Sequence, residues 1–188
     1  VLRSAIRALL LNTADSRMIA RLTREMMKVI QADTVNERGL RNVIDGEAEL
    51  LTGFEFNANS KLGTVLFAPF TQSINRVTGV LEINIPSFIP VNMVAAPSGA
   101  THYKLVSAGV EIDFEQQTYT VATSNNAAAV IDVNATAALT LTHQVTANSS
   151  RPLFLVLGIE FYQEVNGNLY SLKNGAFNAL SIIAVSGQ

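Results

Sequence analysis

The sequence of 188 residues predicts an α+β fold that is mainly β: an antiparallel β-sandwich of jelly-roll or Greek-key type, preceded by an N-terminal α-helical segment. Three observations carry this expectation. All five Pro, all nine Phe and all four Tyr fall after Gly53. Before Gly53 the apolar residues recur at helical spacing, whereas after it they form short alternating runs with no helical stretch between them. Between two of those runs sits Asn166-Gly167, the pair that most readily takes the positive φ angles of a type I′ hairpin turn. The chain therefore divides into a helical segment, 1–53, and a β domain, 54–188.

Within the first segment, helices are expected over about 1–12, 16–31 and 46–52. Leu2, Ile6, Leu9 and Leu10 make one apolar stripe, and Ile19, Leu22, Met26, Val29 and Ile30 make a second. The capping residue types of Asn12-Thr13-Ala14-Asp15-Ser16 separate them, and Gly53 stops the third helix. Either these stripes pack on the domain behind them, or they dock on a neighbouring subunit. Residues 5–11 resemble a signal-peptide core but are too short and are broken by Arg7, so they read as structure, with any export signal upstream of Val1.

In the second segment Val80–Ile85 alternates cleanly and Pro86 ends it. Val110–Glu115 alternates too, Gln116-Gln117 turns, and Thr118–Val121 returns. Val130–Val133 and Ala138–Thr142 are shorter candidates. Leu153–Gln163 is a long apolar run opened by Pro152, Asn168–Leu172 follows the Asn-Gly turn, and Ala179–Val185 closes the series. No fixed-period repeat is present.

Composition removes several functions. The chain holds 13 Lys+Arg and 15 Asp+Glu, a net charge of −2, with no Cys, no Trp and two His. No disulfide scaffold, thiolate metal site or Cys nucleophile can be built. No apolar run approaches the roughly 18–20 residues of a membrane helix. Phosphate-binding glycine motifs are missing. Residues 1–41 carry +4 and the remainder −6, but the basic part has acids among its arginines and no aromatics, which argues against nucleic-acid contact.

The residues that could carry chemistry read more simply as surface. Glu111, Asp113 and Glu115 share one face of a strand, roughly 6.7 Å apart in succession, too far for one Ca²⁺. They are expected on a solvated face opposite Val110, Ile112 and Phe114. Glu160 and Glu164 would stand about 13 Å apart, beyond a glycosidase pair. His102 and His143 have no metal-ligand spacing and no nucleophile elbow nearby. Carbohydrate binding by a β-sandwich wants aromatic platforms, and only four tyrosines are available. No enzyme activity, cofactor or metal is expected.

What stands out is a shortage of charge. Only 15% of residues are charged, against about 25% in an average soluble domain, while 48% are hydrophobic. From Gln116 to Ser150 the sole formally charged residue is Asp132. Sheet edges are ordinarily guarded by charge, so these strands are either covered within the domain or meet another chain. The expected function is a non-enzymatic structural subunit that assembles with copies of itself into a filament, tube or shell. Leu9, Ile19, Leu22 and Met26 are the candidates for helix docking, and Val121, Leu139 and Leu141 for sheet contacts. The rival is a β-sandwich binding module, a surface adhesin or carbohydrate-binding domain.

Three stretches, Ser16–Met26, Gly53-Phe54-Glu55-Phe56-Asn57 and Gly158–Gly167, resemble a family of uncharacterised proteins from Bacteroidota, especially flavobacteria, over most of the chain. The resemblance implies no activity, cofactor or site, and a short segment is expected before Val1.

Overall fold

A computed structural model describes residues 1–43, 46–124, 126–173 and 175–187. In chain order the helices are α1 (Leu2–Ala5), α2 (Arg7–Thr13), α3 (Met18–Gln31), α4 (Leu62–Val65) and α5 (Pro90–Met93), with a 3-10 turn at Ala48–Leu51. The strands are β1 (Thr71–Asn75), β2 (Val80–Ile85), β3 (His102–Asp113), β4 (Thr118–Thr123), β5 (Ala129–Val130), β6 (Leu139–Gln144), β7 (Leu153–Val165), β8 (Asn168–Leu172) and β9 (Ala179–Ser186). The described chain is mostly β, and every strand pairing is antiparallel.

The centre is the pairing of β3 with β7, which runs from His102↔Tyr162 to Glu111↔Leu153. β4 and β5 extend this sheet beyond β3, and β8 and β9 extend it beyond β7. A smaller sheet has the order β1-β2-β6. β7 reads as an unbroken apolar run because both its faces are covered. Leu153, Leu155, Leu157, Ile159 and Phe161 meet Leu81, Ile83, Ile85 and Leu141 of the smaller sheet. Phe154 and Val156 point the other way and join Val106, Ala108, Val110 and Ile112 of β3 beneath the helices. Parity along one strand thus divides the molecule into two cores.

The helical segment has no core of its own. Leu2, Ile6, Leu10, Met18, Leu22 and Val29 lie in the same cluster as the outer face of the larger sheet. The expected helix over 1–12 is broken at Ile6, whose dihedrals (φ −104°, ψ 20°) leave the helical range while its side chain stays buried. The expected helix over 46–52 is only the 3-10 turn; Gly53 stops it at φ +82°, in the left-handed region that favours glycine. Residues 53–56 then run along β9, where Gly53 and Phe56 donate backbone hydrogen bonds to Ile182 and Leu180 at 2.7 and 2.8 Å. That edge of the larger sheet is covered from within.

Arg21 ties the layers together. Its guanidinium pairs with Asp15, donates to the carbonyl oxygens of Glu55 (2.6 Å) and Phe56 (3.2 Å), and lies 5.2 Å from the centre of the Phe54 ring. Asn166 and Gly167 take φ +52° and +77°, as a type I′ turn requires, and join β7 to β8 in a ribbon whose outer part is exposed on both faces.

Candidate functional site

The acidic face expected on β3 is not solvated. Glu111 is 1% exposed. Its carboxylate accepts hydrogen bonds from Ser149 Oγ (2.8 Å) and the Thr146 backbone N–H (3.1 Å), with Arg151 Nη1 at 3.5 Å. Burial pushes its carboxyl up, but the hydrogen bonds from Thr146 and Ser149 and the charge of Arg151 outweigh this and hold it below the ordinary glutamate value. Asp113 meets Arg151 at 2.9 Å, while Glu115 sits past the strand end and is exposed. Glu111 and Asp113 therefore lock the 146–151 loop, and the triplet is not a ligand set.

The other candidate groups also serve packing. His143 is 1% exposed, and its Nε2 lies 2.8 Å from the buried Ser107 hydroxyl. Burial holds the imidazole below its ordinary pKa, so it is neutral inside. Both side chains of this pair are buried. Glu160 is buried and accepts from the Tyr162 hydroxyl (2.8 Å) and Asn12 Nδ2 (3.3 Å), whereas Glu164 is exposed beside His102 at 3.8 Å. The two do not share a cleft. Among the described residues no three His, Asp or Glu side chains converge as a metal site, and no helix is long and apolar enough to cross a membrane.

The unusual feature is where charge lies within the sheets. Among the described residues, Lys, Arg, Asp and Glu occur in β2 (Glu82), β3 (Lys104, Glu111, Asp113) and β7 (Glu160, Glu164), which are the central strands. β1, β4, β5, β6, β8 and β9, which flank them, carry none. This inverts the usual protection, in which charged side chains guard the edges. β4 pairs only with β3 and β6 only with β2, and the two lie side by side on one flank. Thr118, Thr120, Thr140 and Thr142 are exposed there. Both strands come from the low-charge stretch. What the sequence did not reveal is that its strands form the outer edges of two different sheets.

The residues singled out as interface candidates divide. Ile19 is 52% exposed on α3. Leu9, Met26 and Val121 are partly buried against the helix-side core, and Leu139 against the core between the sheets. Leu22 and Leu141 are 8% and 5% exposed and belong to the chain's own cores. Helical periodicity marks the buried side of α3, which joins the helix-side core and meets the 3-10 turn Ala48–Leu51.

Comparison with known protein families, with curated proteins and with solved structures returns no match.

Proposed function

We propose that this protein is a non-enzymatic structural subunit whose copies join through the flank formed by β4 and β6, building a filament, tube or shell. In the same reading the two sheets form a sandwich of Greek-key or jelly-roll type. The consecutive strands β2 and β3 lie in different sheets, as do β6 and β7, while β2 pairs with β6 and β3 with β7. The observation that carries the functional reading is the absence of charge from the edge strands. An unpaired row of backbone N–H and C=O groups without charged neighbours is a template for strand addition. Docking through the helices is the weaker mode, because Leu2, Ile6, Leu10, Met18, Leu22 and Val29 are already buried at home. A carbohydrate platform has little support, since the exposed tyrosines, Tyr119 and Tyr170, lie on opposite sides of the larger sheet.

The test introduces the missing protection. Thr118→Lys with Thr142→Lys places one cation on each edge, opposite Asp113 and Glu82, where a cross-strand pair is neutral or favourable for folding. Light scattering after size exclusion and negative-stain imaging should show assemblies of the natural protein and monomers of the double variant. A natural protein that stays monomeric at high micromolar concentration refutes the proposal, as does a lysine variant that assembles unchanged.

A further inference from the structure

The outer face of the helical layer carries a second feature, independent of the strand edges. A cavity of about 580 Å³ opens between α1, α2, the start of α3 and β4. Arg3 and Arg7 line it together with the hydroxyl-bearing Ser4 and Tyr119. Neither arginine enters an ion pair or hydrogen bond among the described residues. Among the described residues no carboxylate lines the cavity. Two unpaired guanidinium groups beside two hydroxyls are a donor set for a carboxylate or another compact anion.

The remaining wall is apolar and includes Leu10, Leu11, Met18 and Ile19. Arg3 and Ile19 also line a second cavity of about 310 Å³, so the two adjoin at these side chains. The second continues along α3 past Met26, Met27 and Ile30 to Phe114 and contains no acid either. Leu11, Ile19 and Met27 are 74%, 52% and 48% exposed along this course. Leaving such side chains in water is unfavourable by about 25 cal/mol per Å² of apolar surface, and methionines adapt to flexible apolar partners. Both volumes are of the order of small-molecule sites, about 300–1,000 Å³.

We infer that this groove binds a single-chain amphiphile with an anionic head, a medium-chain fatty carboxylate. Its head sits between Arg3 and Arg7 and its chain lies along α3. The charge pattern selects the sign of the head, and the adjoining apolar cavity selects a ligand that has a chain.

The probe is decanoate below its micelle concentration, titrated into the full chain by calorimetry. Acetate supplies the head without the chain, and decyltrimethylammonium supplies the chain with the opposite charge. Saturable binding of one decanoate per chain is expected, with acetate and the cationic amphiphile at least about tenfold weaker. Arg3→Glu with Arg7→Glu should weaken decanoate by at least about tenfold. Ile19→Glu should weaken it while leaving the circular dichroism and melting temperature unchanged, which guards against a variant that merely fails to fold. The inference is overturned if decanoate gives no saturable heat, if the cationic amphiphile binds equally well, if the double arginine variant binds as before, or if only vesicles of anionic phospholipid bind. The Thr118→Lys/Thr142→Lys variant should bind decanoate normally, so failure of the assembly proposal and failure of this one are separable.

Discussion

Replacing Glu111 by Gln removes one negative charge while preserving the length and shape of the side chain. In the folded protein the carboxylate is out of water and accepts from Ser149 Oγ and the Thr146 N–H at 2.8 and 3.1 Å. A hydrogen bond to a charged acceptor contributes about 1.5–3 kcal/mol net, against about 0.5–1.5 for a neutral one. Gln keeps the neutral versions, so the two bonds together lose about 2 kcal/mol. Arg151, 48% exposed at its side chain, adds little because water screens it. For a chain of this size about 2 kcal/mol lowers the melting temperature by roughly 4–8 °C. The pH dependence has a definite sign. Because the folded carboxyl titrates below its unfolded value of about 4.3, its stabilisation is present above that pH and is lost as pH falls through the folded value. Urea unfolding followed by circular dichroism should separate natural protein and variant at neutral pH, and the gap should shrink as pH falls through the folded value of the carboxyl. Coincident midpoints at neutral pH, or a gap that persists in acid, would refute the account of Glu111 as an ionised lock.

Three other perturbations test the cores. His143 is neutral and buried, its folded pKa lies below the unfolded value, and so stability should decline as pH drops below about 6.5; His143→Gln should flatten that decline in urea titrations. Gly158 on β7 has no room for a methyl group, which would press on the Ala179 carbonyl oxygen and come within 2.8 Å of Leu180 Cδ1, so Gly158→Ala should destabilise by about 1–3 kcal/mol, read as a lower urea midpoint. Arg21→Lys keeps the charge but cannot fork to Asp15 and to the Glu55 and Phe56 carbonyls together; a loss of about 1–2 kcal/mol is expected, with faster amide exchange at residues 53–58.

Local chemistry was legible wherever one face of a strand meets water. β2 follows its apolar–polar alternation with Leu81, Ile83 and Ile85 inside, and the Asn166-Gly167 ribbon has the expected ends. The part of β3 from His102 to Gly109 was missed because from Leu105 onward both faces are buried and small residues such as Ser107, Ala108 and Gly109 dilute any period. β1 was missed for the opposite reason: it is almost wholly exposed and shows only Ile74 as a clue. The burial of Glu111 could not be read locally, because its partners arrive from a loop far along the chain. Arg76 is a similar case. Its guanidinium gathers the carbonyl oxygens of Ser149, Arg151 and Ser186 with no signature in the surrounding residues. The arginine-lined groove escaped notice because helical periodicity points to buried stripes, whereas Arg3 and Arg7 stand outside them.

The central pairing also governs how the chain reaches its native state. β3 cannot find β7 until β4, β5 and β6 have all been bypassed, and β2 must wait for β6 across a comparable excursion. Topologies dominated by such distant partners fold in roughly milliseconds to seconds rather than microseconds. During that interval the stretch 118–144 lacks the covering of β7, with scarcely any like-charge repulsion to keep two incomplete chains apart. Yield on refolding should therefore fall with protein concentration even where the finished molecule is stable.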